Sequence, residues 1–301
     1  MTHFADRLAA LVEERRSRVV LGLDPDPAAL WPSGRGETAA HGLPAALAAE
    51  ATVTHCAAAI EATGPACVAV KLQFACFERL GAPGWTALER VRDTAQAAGL
   101  LVIADAKRGD VPVTARAYAQ ALIGSTPSPF GLIEGFAADA MTANPLLGRD
   151  SLEPLIETAS SAGAGVFCLV NTSNPGASDL QDLDSAGAPL HERIAEMVNA
   201  SGANEVGESG LSLVGAVTGA TRPERLGRLR ELMPRAVFLL PGVGAQGGDA
   251  GALGPVYAPH PAAGLVAASR SIVNAYREVG GDPRAAAAAA AEDLRALTWN
   301  Q

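Results

Sequence analysis

Residues 100–110 read Leu-Leu-Val-Ile-Ala-Asp-Ala-Lys-Arg-Gly-Asp, and this stretch predicts both a fold class and the position of a functional edge. Its five leading apolar residues predict a buried strand, and charges begin only at the carboxyl end, where parallel α/β folds open to solvent. Side chains alternate across a strand, so Asp105 and Lys107 should point to the same side, roughly 6–7 Å apart along the backbone. Taken alone, this pair is more typical of a structural ion pair than of a catalytic site.

Seven further segments have the same design, an apolar run followed by polar residues. Helical patterns follow most of them, and apolar side chains recur at helical spacing over residues 3–16. This alternation predicts an α/β fold, a single (β/α)8 TIM barrel domain over residues 1–301 with an N-terminal lead-in helix and a C-terminal helix. Residues 124–131 are predicted to be a loop. The additional strands are predicted at residues 19–23, 67–73, 135–142, 165–170, 211–217, 236–240 and 264–268.

Composition narrows the functional class. With 49% hydrophobic and 18% charged residues the chain can bury a sizeable core, and its formal net charge of -9 argues against nucleic-acid binding, which needs a basic surface. No window holds the roughly 18 uncharged apolar residues of a membrane span, and residues 1–7 lack a secretory signal. The cysteines at positions 56, 67, 76 and 168 lack the paired spacing of a zinc site. We therefore expect a cytoplasmic protein with no metal, nucleic-acid or membrane partner.

Polar residues follow most of the predicted strands. In a barrel the carboxyl ends of all strands surround one mouth, so side chains scattered through the sequence converge on one pocket. Each has an ordinary structural explanation on its own, but together they favour a catalytic site. Loops after the seventh and eighth strands commonly bind phosphate, through backbone N–H groups and an arginine. The converging residues are Asp24, Lys71, Asp105, Lys107, Thr172, Ser173, Asn174, Gln246 and Arg270.

The segment from Asp105 to Pro112, Asp-Ala-Lys-Arg-Gly-Asp-Val-Pro, with Thr114 just beyond it, resembles the signature of the orotidine 5'-phosphate decarboxylase family in its longer bacterial subgroup. Further matching parts occur in the family's order, so the resemblance spans nearly the whole chain. These parts are Gly22-Leu23-Asp24-Pro25, Lys71 with residues 74–78 after it, Thr172-Ser173-Asn174-Pro175-Gly176 and Pro241-Gly242-Val243-Gly244.

The resemblance implies that the chain removes the C6 carboxylate of orotidine 5'-monophosphate as CO2, giving uridine 5'-monophosphate without a metal or organic cofactor. Lys107 would stabilise the charge developing at C6 and then donate the proton. Asp105 would lie beside the substrate carboxylate, and Lys71 would pair with Asp105. The last aspartate of the motif comes from the partner subunit in this family, so Asp110 implies a two-fold homodimer with shared sites.

The same resemblance implies the contacts to the nucleotide substrate. Asp24 matches the ligand of the ribose hydroxyls, and Ser173 matches the contact to the pyrimidine. Gln246 and Arg270 would hold the 5'-phosphate, whose remote binding energy can assemble the site. Thr114 and Asn174 are expected to complete the substrate-binding set.

Two other functions remain open from the residues. The first is a barrel enzyme that uses a similar Asp-x-Lys-x-x-Asp strand for magnesium-dependent aldolase or decarboxylase chemistry on a sugar phosphate. The second is a catalytically silent binder of nucleotides. Sensitivity to a chelator would identify the first, and tight binding without turnover would identify the second.

Overall fold

The computed structural model describes residues 2–32, 43–244 and 247–301, and within them eight parallel strands close into a barrel. The predicted (β/α)8 fold is therefore confirmed. Around the barrel the strand order is β1-β2-β3-β6-β7-β8-β9-β10, with β10 pairing back to β1. The barrel strands are β1 Val19–Leu23, β2 Ala69–Gln73, β3 Leu101–Arg108, β6 Ala140–Ala143, β7 Gly165–Asn171, β8 Ser212–Thr218, β9 Ala236–Pro241 and β10 Gly264–Ala268, and a separate hairpin contains β4 Ser125–Ser128 and β5 Gly131–Glu134.

Helices follow the strands and cover the outside of the barrel. Short ones cap several strand ends, whereas long ones pack side by side, as α2 does against α4 and α5 against α6. The helices are α1 Phe4–Arg15, α2 Pro44–Thr63, α3 Phe74–Glu78, α4 Ala82–Ala97, α5 Pro112–Leu122, α6 Arg149–Ala162, α7 Ser178–Gln181, α8 Leu190–Ser201, α9 Leu226–Leu232, α10 Arg270–Val273, α11 Tyr276–Val279 and α12 Pro283–Trp299.

The first helix covers the amino-terminal ends of the strands. Phe4 is 1% exposed, and its ring meets the Phe167 ring edge to face at a centroid distance of 5.9 Å. Gly165 makes room for this contact, because a Cβ there would lie 2.5 Å from the Phe4 ring. This end of the barrel is thus closed by packing, which leaves the carboxyl ends for chemistry.

Two sequence predictions between α5 and β7 were wrong. Residues 124–131 are not a loop, because β4 and β5 form an antiparallel hairpin around Pro129 and Phe130. Such a strand tolerates a proline, because it has only one neighbouring strand and need not donate every backbone N–H. The fourth barrel strand begins at Ala140 instead of residue 135. Asp139 bonds the backbone N–H of Val102 through its side chain, so the apolar residues before it lie outside the sheet.

Candidate active site

A cavity of about 420 Å³ opens at the carboxyl ends of the strands, and all eight barrel strands or the loops that follow them contribute to its wall. Sequence reasoning missed several of its polar side chains, including Gln73, Thr142, Ser269 and Ser271. Eight predicted site residues line it together: Asp24, Lys71, Asp105, Lys107, Thr172, Ser173, Asn174 and Arg270.

On one side of the cavity, two lysines share a buried carboxylate. Asp105 accepts hydrogen bonds from Lys71 Nζ at Oδ2 and from Lys107 Nζ at Oδ1, each at 2.5 Å. The Thr142 hydroxyl donates to Oδ1 as well, at 2.9 Å. The predicted pairing of Lys71 with Asp105 is confirmed. Thr142 carries no sequence signal for this role, because it lies inside the short, otherwise apolar strand β6.

Electrostatics keep this cluster ionised. Burial by itself would raise the pKa of Asp105, but the charges and hydrogen bonds of Lys71 and Lys107 outweigh it and lower that pKa to about 2. Burial would lower the pKa of Lys71, yet the neighbouring carboxylates of Asp105 and Asp24 raise it. Asp24 Oδ1 lies 3.9 Å from Lys71 Nζ. Both shifts favour the charged forms, so Asp105 and Lys71 form an ion pair at neutral pH.

The two lysines differ in access. The Lys71 side chain is 11% exposed, whereas that of Lys107 is 43% exposed. The backbone is irregular at Lys107. Its φ is +49°, and the pairing of β3 with β6 shifts register between Ala104 and Arg108. Its N–H donates to the Thr142 hydroxyl at 2.9 Å. A left-handed non-glycine residue costs on the order of 1–3 kcal/mol and is often found where a side chain must be aimed at a site.

The opposite side of the cavity combines close backbone contacts with a free cation. Gly22 lies so close to the loop after β10 that a Cβ would be 2.8 Å from the Ser269 Cβ. Gly244 has a φ of +72° and approaches Ser271. Arg270 is exposed, and its guanidinium has no hydrogen-bond or ion-pair partner in the part of the chain that the structure describes. An anionic group is the natural ligand for such an arginine.

Three predicted residues are not part of this wall. Gln246 lies outside the described residues. Asp110 and Thr114 do not line the cavity of their own chain. Among the described residues, the Asp110 side chain accepts a hydrogen bond from the backbone N–H of Val111 alone, at 2.8 Å, and Thr114 lies in the first turn of α5.

A second cavity, of about 750 Å³, lies at the amino-terminal end of β6. It is larger, but its cations are paired: Arg7 with Asp139 at 2.5 Å and Arg116 with Glu157 at 3.0 Å. Its remaining charge is the carboxylate of Glu134, so among the described residues this cavity offers no unpaired cation to an anionic ligand. The smaller cavity at the carboxyl ends is therefore the candidate active site.

Over residues 2–32, 43–244 and 247–301, no three His, Cys, Asp or Glu side chains form a group that could hold a metal ion. In the same residues no helix has the length and apolar character needed to cross a membrane.

Comparison with known proteins agrees with this geometry. The model of the Orotidine 5'-phosphate decarboxylase / HUMPS family matches residues 17–290. The orotidine 5'-phosphate decarboxylase of Rhodopirellula baltica is 40% identical over 280 residues, which are 92% of this chain and 90% of that one. That of Deinococcus radiodurans is 42% identical over 78% of this chain and 82% of its own. The solved structure of Leishmania donovani OMP decarboxylase is 32% identical, with a TM-score of 0.71 and 99% of each chain covered.

Proposed function

Because the chain belongs to the orotidine 5'-phosphate decarboxylase / HUMPS family, we propose that Lys71, Asp105 and Lys107 carry out the decarboxylation of orotidine 5'-monophosphate, without a cofactor. The decarboxylase activity follows from the identity of about 40% to decarboxylases over most of both chains, and it is the reaction that completes uridine 5'-monophosphate in pyrimidine biosynthesis. The observation that carries the residue assignment is one buried carboxylate bonded to two lysines, of which only Lys107 is open to a ligand.

The reaction breaks the bond between C6 and its carboxylate carbon. The electron pair stays on C6, and CO2 leaves. The Lys107 ammonium lies beside the developing negative charge and stabilises it, then donates a proton from Nζ to C6. Asp105 lies next to the departing carboxylate, where repulsion between the two anions favours its loss. Lys71 keeps Asp105 ionised and oriented, and Lys107 regains its proton from water after product release.

The remaining residues of the wall bind the parts of the nucleotide that do not react. Asp24 takes the ribose hydroxyls, Ser173 with Asn174 faces the pyrimidine, and the unpaired guanidinium of Arg270 holds the 5'-phosphate. Gln246 is assigned to the phosphate as well, from its place in the sequence. The cavity volume of about 420 Å³ lies in the range of small-molecule sites. Binding energy from the phosphate lowers the barrier only if it helps to assemble the charged cluster around C6.

The second part of the proposal is a two-fold homodimer in which Asp110 and Thr114 complete the partner's cavity. Asp110 has no cationic partner in the described part of its own chain. Exposed apolar side chains lie nearby: Val113 is 84% exposed, and Leu146 and Leu147 follow Asn144, whose carbonyl touches Gly109. Apolar surface around an unused carboxylate is typical of a subunit interface.

Mixing two inactive variants tests the shared site. In a heterodimer of Lys107→Ala and Asp110→Ala chains, one site has both defects and the other has none. Random exchange of subunits should therefore restore about a quarter of the sites, by the isologous geometry of a two-fold dimer. Two unmixed variants serve as controls. Recovery of no activity after verified subunit exchange would show that each chain uses its own Asp110.

We also propose a cytoplasmic location. The four cysteines are free thiols, and three of them are buried, as expected for a reducing compartment. The substrate is made and used in biosynthesis, which is consistent with that location.

The alternative, a magnesium-dependent enzyme acting on a sugar phosphate, fits less well. The carboxylates of such an enzyme would have to bind the magnesium ion. Here Asp105 and Asp24 already face the ammonium of Lys71, at 2.5 and 3.9 Å from its Nζ. The deciding experiment follows the absorbance of orotidine 5'-monophosphate with purified protein in excess EDTA, beside Lys107→Ala. We expect turnover that survives EDTA and collapses in the variant. Inactivity in EDTA, reversed by magnesium with a sugar phosphate as substrate, would overturn the proposal.

A further inference from the structure

Gln181, the last residue of α7, lies behind the loop that follows β7 and touches it through its side-chain amide. Its Oε1 accepts the backbone N–H of Thr172 at 2.9 Å and is 3.3 Å from Asn171 Nδ2. A backbone N–H can only donate, so the oxygen of Gln181 must face the loop at this point. The orientation of the Gln181 amide is therefore determined by the main chain.

The orientation of the Gln181 amide determines which groups donate and which accept in the hydrogen bonds that follow. Gln181 Nε2 donates to the Thr172 hydroxyl at 2.8 Å, so that hydroxyl uses its own proton elsewhere. It donates to Asn174 Oδ1 at 2.7 Å. Asn174 lines the active-site cavity, and among the residues that the structure describes its Nδ2 donates to no acceptor. The amide nitrogen of Asn174 is therefore the last donor in this series of hydrogen bonds, and it is available to a ligand.

We propose that Gln181 is a positioning residue that fixes the direction of these hydrogen bonds, so that Asn174 presents an N–H donor to the pyrimidine. A donor at this point selects a ring carbonyl and rejects a ring amino group, because two donors cannot bond each other. The inference deepens the proposed function and rests on it, since it takes the Thr172–Asn174 loop as the wall that faces the base.

The residues around Gln181 hold it in place. His191 Nδ1 lies 2.8 Å from the Gln181 carbonyl oxygen, and a carbonyl only accepts, so the ring donates from this nitrogen. The next residue, Asp182, is bonded by Arg225 at 2.6 Å and Arg222 at 3.1 Å. Both arginines belong to the loop after β8, so two neighbouring loops of the barrel mouth support one amide. Such support is what a precise polar contact requires.

Binding of two nucleotides tests the proposal directly. Uridine and cytidine 5'-monophosphate differ at ring position 4, a carbonyl in one and an amino group in the other. We expect the wild-type chain to bind the uridine nucleotide at least about tenfold more tightly, the size of one unsatisfied polar group. The ratio of the two dissociation constants is measured by calorimetry, and turnover of orotidine 5'-monophosphate is measured on the same samples.

Matched substitutions at Thr172 separate the direction of the hydrogen bonds from packing. Thr172→Ser keeps the hydroxyl and should keep the ratio. Thr172→Val has nearly the same shape without the hydroxyl and should bring the ratio close to one, as should Gln181→Met. Asn174→Asp replaces the donor by an acceptor and should reverse the preference. Gln96→Glu, on the exposed face of α4, is a control for Gln181→Glu, which should lower the ratio because a carboxylate cannot donate to Thr172.

The outcomes are distinct. A wild-type ratio near one, or an unchanged ratio in Thr172→Val, would overturn the inference even if Gln181→Met failed to fold. Absence of turnover in the wild-type chain would instead contradict the proposed function. Turnover together with a ratio that falls in Thr172→Val and persists in Thr172→Ser would support both.

Discussion

Each end of the barrel contains an aspartate bonded to a cation. The two differ in burial, with the Asp139 side chain 14% exposed and that of Asp105 5% exposed, and in the hydrogen-bond donors that their partners leave free. At the amino-terminal end Asp139 accepts from Arg7 and from the Val102 N–H, and the Arg7 guanidinium also donates to the Gly163 carbonyl. At the carboxyl end Asp105 accepts from two lysines, one of which faces an open cavity. The difference teaches that an ion pair by itself does not mark a candidate site, whereas a paired carboxylate whose cation keeps free donors beside an open cavity does.

The same contrast favours the smaller cavity as the functional one. The cations of the amino-terminal cavity are paired with carboxylates, as Arg116 is with Glu157. Lys107 has three N–H donors, and the described residues engage one of them through Asp105. The Arg270 guanidinium has no donor engaged in those residues. A ligand gains free energy by satisfying donors that the fold leaves free, whereas a cation already paired with a carboxylate has less to offer an anion.

The largest expected effect comes from removing the open lysine. Lys107→Ala should lower kcat at least about 1,000-fold, because it deletes both the charge that stabilises C6 and the proton donor. Its unfolding free energy should change little, since the side chain is 43% exposed. Arg7→Ala, at the other end, is the matched control and should keep kcat within about twofold. Similar losses of kcat in both variants would break the comparison. The measurements are initial rates and urea unfolding.

The next effect is on stability at the carboxyl end. Asp105→Asn leaves Lys71 buried beside a neutral amide, and removing one partner of a buried pair costs about 3–5 kcal/mol. We expect a loss of that size in the free energy of unfolding, together with a loss of turnover. Lys71→Met added to Asp105→Asn should recover most of the stability and none of the turnover. If the double variant were no more stable than the single one, the buried charge would not be the cause.

A smaller loss is expected at the amino-terminal end. Asp139→Asn should cost about 1–3 kcal/mol, the range for hydrogen bonds to a charged group, because its partner Arg7 is 34% exposed and can be solvated. Turnover should stay within about twofold of wild type. A large loss of turnover with an unchanged unfolding curve would give this end a role in the reaction and contradict the contrast.

The smallest effect is a dependence on pH. The pKa of Asp105 is lowered to about 2 by the charges and hydrogen bonds of Lys71 and Lys107, from the ordinary aspartate value of 3.8 that we take for the unfolded chain. Its stabilising contribution is therefore present above the unfolded value and is lost as pH falls towards the folded value. The gap in unfolding free energy between wild type and Asp105→Asn should narrow by about 1 kcal/mol between pH 5 and pH 3. A gap that widens over this interval would mean that the folded pKa is raised instead.

The residues that we propose as catalytic could be located from the sequence because their signals are local. Lys71 and Asp105 stand out as charges at the ends of apolar runs, and strand ends in a barrel share one mouth. Thr142 could not be found in this way, since a threonine in a small-residue strand has many ordinary explanations. Its contact with Asp105 depends on the register between β3 and β6, which are separated by a helix and a hairpin. Gln181 was missed although it lies only nine residues from Thr172, because the contact depends on how the loop between them folds back.

The prediction for Lys107 was correct about its partner, Asp105, and wrong about the backbone conformation that brings the two together. Simple alternation along an extended strand places it on the same side as Asp105. The structure instead reaches that contact through a left-handed residue at a shift of register. Nothing in the sequence Asp-Ala-Lys-Arg-Gly marks a positive φ at the lysine, because only surrounding structure can hold a side chain in a conformation that it disfavours on its own.

The sequence by itself determined the eight-stranded α/β barrel and the edge on which its polar residues gather. Both depend on apolar periodicity and strand ends, which are properties of neighbouring residues. The tertiary structure alone decided which hydrogen-bond donors are engaged within the protein and which are free for a ligand. It set the sharing of Asp105 by two lysines, the exposure of Lys107 and the orientation of Asn174 by Gln181. These properties depend on how the folded strands and loops place individual atoms to within a few tenths of an ångström, and hydrogen bonds form only when such distances are met.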